Sequence, residues 1–505
     1  QEAHERLCRH TAPEPLCEIM LILMGAYLRY FTGDHERSLE YAMRGLELSE
    51  QTGIKVMQSA LFGVGCYNTL ATGLLSEADR YLEGMEQALA AGGRNLDTAH
   101  LHFLRSWRFM LGGDPLRSHE AACIALDLAT QVGAAYPIAL CHYGLAHTLV
   151  ELGRGEEAMR ELTLARGAKT MPLIQFYCDA LEAAYLFNQN RNAEGLLRLR
   201  ECLGRSRQIG IPHPHYYRPE LMTALYVKAL EQDVETAYVR DCIRRSWLTP
   251  AAIPSHLDTW PYPFKLHTLG RFTVTLDDKP LPRSPSHQKP LELLQALVAL
   301  GGREVDEDKL AELFWPEAEG DAARRNLKIN IHRLRKLLPE NALVWTEGKL
   351  SLDARQVWVD VWALERELNR LDQASPTEAA EQAALAQRIF SLYRGEFLSG
   401  NTESWALAAR ERIRNKILRL LTRAAENLLP GDPAAAVPLY EQAIELDPLR
   451  ETLYQGLMRC YQILHRPAEV EHVYRRCRDT LKRELGLAPS EETETLIKRL
   501  RAPNT

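Results

Sequence analysis

The sequence predicts a mainly α protein in three parts: a long array of helical hairpins, a small α+β unit and a second all-α segment. Three observations carry this. Turn-like pairs at Gly33-Asp34, Leu75-Ser76, Gly113-Asp114, Gly153-Arg154 and Arg191-Asn192 recur about every 40 residues through a helical N-terminal half. Between Phe264 and Leu352 the helical pattern gives way to period-two alternation at both ends of the stretch. Four prolines in LTPAAIPSHLDTWPYP, residues 248–263, make a stiff connector between the two. The expected division is 1–247 for the repeat array, 248–263 for the connector, 264–353 for the α+β unit and 354–505 for the last helical part.

In the array, each turn is followed by the same kind of helix, with Ala42, Ala78, Ala122 or Ala158 early in it. Close helix–helix approach needs small side chains at such positions, so a tetratricopeptide-like α-solenoid is expected, with a period longer than the usual ~34 residues. Trp107, Tyr136, His142, Tyr143, Phe176, Tyr177 and the run His213–Tyr217, which includes Tyr216 and Tyr217, concentrate rings in the third to fifth repeats. Rings lining a concave solenoid suit a small-molecule or protein effector. Filling the space between helices is the commoner use of such residues, and both readings stand at this point.

The α+β unit is read element by element. FKLHTLGRFTVTLDDKPL alternates across Phe272, Val274 and Leu276, with a break at Gly270 and a turn at Asp277-Asp278, giving short antiparallel strands. A leucine-rich helix from Pro290 to Leu300 stops at Gly301-Gly302, and a short one runs from Asp306 to Phe314 before Pro316. The third helix, Ala323 to Leu338, aligns Leu327, Ile331, Leu334 and Leu338 on one face. Arg325, Lys328, His332, Arg333 and Lys336 cover the other, and Arg324 and Arg335 lie on the flanks. Leu343 to Leu352 then folds as a hairpin about Glu347-Gly348. Strands, three helices and a hairpin make a winged helix-turn-helix, with the basic helix placed for a DNA major groove and Lys349 of the wing for a phosphate. Arg325 and Arg333 are the candidate base contacts; Arg324, Arg335 and Lys336 are the candidate phosphate contacts. Ile329, among the cations, suits either a thymine methyl or packing against the wing.

These residues carry a resemblance. LGRFTV, the Leu313-Phe314-Trp315-Pro316 corner, NLKINIHRLRKLL and TEGKLSL resemble the OmpR-type winged helix, and more closely its variant in the antibiotic-pathway activators (SARP family) of bacteria. Val359-Asp360, LYRGEFLSG at 392–400, Trp405 with Arg410 and Arg412, IELDPLRETLY at 444–454 and ELGLAPSEET at 484–493 resemble the bacterial transcriptional activation domain that follows it there. In the short members the DNA-binding domain stands first, whereas here it follows the repeats. The repeats resemble the superhelical sensor region of the large MalT-type activators. The resemblance implies a transcriptional activator with promoter DNA and RNA polymerase as partners. It also implies that Glu317, Glu319 and Asp321, between the second and third helices, face polymerase, since phosphate would repel them; Trp315 anchors the corner. Two helical-repeat signals, at Pro430-Gly431-Asp432 and His465-Arg466-Pro467, fit the last part.

Composition sets the remaining bounds. The 505 residues are 46% hydrophobic and 25% charged, ordinary for a multidomain globular chain. A net charge of -6 does not oppose DNA binding, because phosphate contact depends on local potential. Ten cysteines without a Cys-x-x-Cys pair argue against zinc spacing and a disulfide framework, and they read as buried core residues. The most apolar stretch, Leu16–Leu28, contains Glu18, so no membrane span is expected. With no signal peptide pattern either, the cytoplasm is the expected location. The chain opens at Gln1 inside a helical pattern, so it is expected to be the C-terminal part of a longer polypeptide, with any nucleotide switch upstream. Phosphate loops, nucleophile elbows and ligand-spaced His or Cys groups are missing from the sequence, so neither catalysis nor a cofactor is expected. Two function classes remain. One is a sequence-specific transcriptional activator, self-associating on DNA, whose repeats receive a signal. The other is a helical-repeat scaffold whose winged helix contacts protein. The acid-free basic helix face favours the first.

Overall fold

The computed structural model describes residues 14–90, 94–167, 171–245, 256–282, 284–318, 320–375 and 379–501. The first half of the proline connector, 248–255, and Glu319 lie outside them. The chain divides into two compact units, Gln1–Trp260 and Pro261–Thr505.

In the first unit, successive helices form hairpins: α1 (Pro15–Thr32) with α2 (His35–Thr52), α3 (Gln58–Ala71) with α4 (Leu75–Ala90), and α5 (Asn95–Leu111) with α6 (Pro115–Val132). The series continues with α7 (Ala135–Glu151) and α8 (Gly155–Arg166), α9 (Pro172–Asn188) and α10 (Asn192–Ile209), then α11 (Pro219–Glu231) and α12 (Thr236–Arg245). The turns use the residues the sequence places there. Asp34 and Asp114 cap the following helices by accepting from the Arg37 and Arg117 amides, and Gly113 takes a φ of 77°. The second turn falls at 72–74, and Leu75 already begins its helix. Ala42, Ala78, Ala122 and Ala158 are all buried where paired helices approach. α1 is the one described helix long and apolar enough to cross a membrane by length and composition. Through Ile19, Ile22, Ala26 and Tyr30 it is buried within the solenoid, and Met20 and Met24 stay exposed.

The most consequential feature of this unit is not a helix. The segment between α10 and α11 runs through the interior of the array. His213 Nε2 bonds Tyr30 O at 3.1 Å, and His215 Nδ1 lies 3.1 Å from the Tyr30 hydroxyl. The Tyr216 hydroxyl meets Ser106 and Ser118, while Tyr143 OH and Trp107 Nε1 donate to the carbonyls of His215 and Tyr217. Ring donors thus meet three of the segment's carbonyls, with the Tyr226 hydroxyl donating to that of Pro212, as a buried irregular stretch requires.

In the second unit, β1 (Phe264–His267), β2 (Thr273–Leu276) and β3 (Lys279–Pro280) are antiparallel, with Asp277 and Asp278 at φ 47° and 64° in the turn. A strand absent from the sequence reading, β7 (Val357–Val359), pairs in parallel with β1 to give the order β3-β2-β1-β7. α13 (Gln288–Ala299) and α14 (Glu307–Phe314) follow, with β4 (Val305–Asp306) between them. Asp306 is both the end of β4 and the cap of α14, accepting from the Asp308 amide at 2.8 Å. α15 (Gly320–Arg335) precedes the wing, β5 (Leu343–Thr346) and β6 (Lys349–Leu352); β4 extends the wing to the order β4-β6-β5.

The last part is all α: α16 (Asp360–Gln373), α17 (Ala379–Leu392), α18 (Ser404–Leu428), α19 (Pro433–Leu446), α20 (Glu451–Ile463), α21 (Pro467–Leu485) and α22 (Glu491–Arg501). It is joined to the first sheet by the sequence motifs themselves. Buried Asp360 accepts from the Thr268, Leu269 and Val361 amides and from the Thr268 hydroxyl. Gly270 pairs with Glu396 and Ser399, and Leu398 with Thr268. A Cβ on Gly395 would come within 3.2 Å of Gly270 Cα, so that approach needs glycine at 395, whose φ of 152° also favours it. Arg410 donates to the carbonyls of Phe397, Leu398 and Asn401 and holds the segment from the other side. At the far end, Glu451 accepts from the Ser490 amide and hydroxyl and from Thr493, which seats α22.

Candidate nucleic-acid interface

α15 presents the faces its sequence predicts. Leu327, Ile331, Leu334 and Leu338 are buried, and Ala323 joins them. Arg325, Lys328, His332, Arg333, Arg335 and Lys336 are exposed. The helix is shifted from the expected span: it begins at Gly320 and ends at Arg335. Pro339 disfavours helical geometry at Leu338, and the end tightens through Leu337 N to Leu334 O at 2.9 Å. Lys336 and Leu338 therefore stand in the closing turn. At ~100° per residue, Arg325, Ile329, His332 and Lys336 share one outward line with Arg333 beside it. Ile329 is 51% exposed at the centre of that arc, so of its two expected uses packing against the wing is not the one the fold makes.

Three of the expected cations meet neighbouring side chains. Arg324 makes a bidentate pair with Asp308 of α14, at 2.6 and 2.7 Å, and the guanidinium holds the Asp308 carboxyl below its usual range. In this structure it ties α15 to α14. Lys328 and Arg335, seven residues apart, lie over the Trp345 ring of β5 at 5.8 and 5.9 Å. They mark the side of α15 that meets the wing, so the arc of freely presented cations is narrower than expected. Trp345 escaped the sequence reading, although the two-turn spacing of Lys328 and Arg335 beside a hairpin tryptophan was a usable signal. On the wing, Lys349 is exposed and only 4.0 Å from Glu304, itself exposed, a pair of little strength in water. It leaves the hairpin just after Glu347 and Gly348, whose φ values of 52° and 72° form the expected tight turn.

Of the three loop acids, Glu317 is exposed, Glu319 lies outside the described residues, and Asp321 is exposed in the first turn of α15 rather than in the loop. There it favours the helix N-terminus. Trp315, expected in the core, is half-buried against Phe314.

The expected effector residues need a larger correction. Trp107, Tyr143, Phe176, Tyr177, Tyr216 and Tyr217 are almost wholly buried. Tyr216 and Tyr217 belong to the 211–218 segment, and Trp107, Tyr143 and Tyr177 pack against it, so it occupies space these rings were expected to line. His142 pairs with Glu161 at 2.6 Å. Of the expected residues Tyr136 and His215 border open space, on a hollow of about 530 Å³ whose other walls include Tyr27, Tyr67 and His100. Tyr27 and Tyr67 sit about one repeat apart, a signal that the search for ring clusters passed over. Nine cysteines are free among the described residues; seven are buried, and Cys17 and Cys123 are exposed.

Comparison with known proteins bears on the second unit. Residues 359–501 match the family model described as bacterial transcriptional activator domain. Regulatory protein AfsR of Streptomyces griseus is 29% identical over 216 residues, covering 41% of this chain and 22% of that protein. Its Streptomyces coelicolor counterpart is 30% identical over 240 residues, 46% of this chain and 24% of that protein. Transcriptional regulatory protein EmbR of Mycobacterium tuberculosis is 25% identical over 244 residues, 46% of this chain and 62% of EmbR. The matches thus span about a quarter of the AfsR proteins. A solved structure, Mycobacterium tuberculosis EmbR in complex with a low affinity phosphopeptide, has a TM-score of 0.38 at 23% identity, over 47% of this chain and 65% of that one. Residues 359–501 therefore carry a bacterial transcriptional activator domain, in the stretch that holds the motifs between Val359 and Thr493.

Proposed function

We propose that this chain is a sequence-specific DNA-binding transcriptional activator of the bacterial cytoplasm, with no catalytic activity of its own. Its winged helix holds promoter DNA, its activator domain supports self-association or contact with RNA polymerase, and its solenoid receives a signal. The observation that carries the DNA reading is the outward arc of α15. Arg325, His332, Arg333 and Lys336 are exposed there, Ile329 stands among them, and no acid follows Asp321 on the helix. Arginine reads guanine bidentately, an exposed isoleucine suits a thymine methyl, and Lys336 and Lys349 suit phosphates. A scaffold would have no use for an arc of one sign, and the activator domain that follows favours regulation over scaffolding.

The test is genome-wide mapping of DNA bound by the intact protein, followed by titration of the recovered sequence in rising salt. A specific site with a steep salt dependence is expected. Repeated half-sites one helical turn apart would identify two winged helices side by side. Retention on neither the site nor random duplex at low salt would leave the scaffold reading in its place.

A further inference from the structure

The hollow in the first unit is open on one side and has a chemistry of its own. Its walls come from five inner helices in succession: Tyr27 and Phe31 of α1, Tyr67 of α3, Phe103 of α5, Tyr136 of α7, and Leu173 of α9. Its floor is His215 of the interior segment, stacked on Tyr67 at 4.6 Å and on Tyr30 at 5.3 Å. The floor is fixed before any ligand arrives, because the Tyr30 and Tyr143 hydroxyls and the Trp107 indole already hold that segment by hydrogen bonds. A volume of about 530 Å³ falls within the ~300–1,000 Å³ of small-molecule sites. Packed interiors do not leave a space of that size, and apolar walls facing water in a concavity are costly unless something covers them.

The polar groups say what can enter. Among the described residues Asp97 is the one charged side chain on the walls, and its carboxylate is paired with Arg94 at 2.9 Å. No described lysine or arginine lines the space, so a phosphate or carboxylate would find no counter-charge from these walls. His100 is bonded to the Tyr67 hydroxyl at 2.8 Å, and burial pushes its pKa down to about 4; burial likewise lowers His215. Both imidazoles are therefore neutral hydrogen-bonding groups in an apolar frame. The Tyr27 and Tyr136 hydroxyls have no hydrogen-bond partner among the described residues.

We infer that this hollow is the binding site for an uncharged, ring-containing apolar molecule with one or two hydrogen-bonding groups, seated between the ring walls of α1, α3, α5 and α7. This rests on the reading of the solenoid as the signal-receiving part, and it names the class of signal. Because the walls come from successive repeats, an occupant bridges them and resists a change in their curvature.

The test uses N-phenyl-1-naphthylamine, which is uncharged, has two ring systems and one N–H, and fluoresces when desolvated. Titrated into the intact protein, it should bind one molecule per chain. Its sulfonated analogue, 8-anilinonaphthalene-1-sulfonate, should bind at least ten times more weakly. Ala60→Trp and Leu173→Trp, which fill the hollow from opposite ends, should each weaken the neutral probe at least tenfold while melting cooperatively. Leu197→Trp, on the exposed side of α10, should leave it unchanged. Absence of binding by the neutral probe, or equal binding by both folded filled variants, overturns the site. Equal binding of the sulfonate, or tenfold preference for a cationic ring compound, overturns the assigned chemistry. If the parent itself binds no DNA, the regulatory reading fails while the probe result stands.

Discussion

His215 lies buried in the first unit against the rings of Tyr30 and Tyr67, and burial drives its pKa far down. His332 stands in solvent on α15, among Arg325, Ile329 and Lys336. The same side chain is used in opposite ways. The aromatic interior of the solenoid disfavours charge: burial lowers the pKa of His100, His147, His213 and His215. The outer face of α15 displays charge and leaves it uncompensated. A surface built the first way selects uncharged molecules; one built the second way selects polyanions. The contrast assigns the two units different kinds of ligand from electrostatics alone.

Acid should break the comparison most strongly. His100 and His213 have folded pKa values of about 4 and 3, below the ordinary value of 6.5 for an exposed imidazole. Above pH 6.5 neither state binds the proton and nothing is lost. As pH falls below 6.5 the unfolded chain takes protons that the folded unit refuses, so stability drops until the folded pKa is reached. By pH 4.5 each histidine should cost about 2–3 kcal/mol, enough together to melt the first unit. Near-ultraviolet dichroism and urea melts between pH 7 and 4.5 should show it. The Phe264-to-Arg501 half, without such a cluster, should keep its own transition.

Next comes the charged face. Arg325→Glu with Arg333→Glu should cost roughly 3–5 kcal/mol in affinity for the mapped site, from ~1–3 kcal/mol per base-reading arginine plus repulsion. Fluorescence anisotropy with labelled duplex measures this, and unchanged affinity would falsify α15 as the reading helix.

Asp360→Ala isolates the junction. The substitution leaves three amides and a hydroxyl without their acceptor, at about 3 kcal/mol. The denaturant midpoint of the second unit should fall while that of the first stays put; a shift of both would mean the units do not unfold separately.

Smaller effects sharpen the assignment. Lys336→Ala should weaken all duplexes alike and reduce the salt slope by about one, whereas a loss confined to the specific site would make it a base contact. Smallest of all for DNA, Glu317→Gln with Asp321→Asn should leave affinity intact or slightly raised while in vitro transcription falls. A parallel loss of DNA binding would argue against a polymerase-facing role.

Sequence periodicity by itself determined the helical hairpins, the apolar stripe of α15 and the Glu347-Gly348 wing turn, because each is a local matter of spacing and turn chemistry. It likewise carried the SARP-type motifs, although not their purpose. Leu269, Gly270 and the Glu396–Ser399 stretch are far apart in the chain, and only folding shows them paired, with Asp360 and Arg410 holding them. Strand β7 was equally hidden, since three residues have no period to read and a parallel partner lies about 90 residues away in sequence. The interior segment is the clearest case. Its histidines and tyrosines look like pocket residues in sequence, yet nearly all are enclosed between helices, and only His215 among them reaches the hollow lined by Tyr27, Tyr67 and Tyr136. Which rings fill space and which face it depends on how successive hairpins wind about a common axis. That is a property of packing between repeats, and no single repeat encodes it.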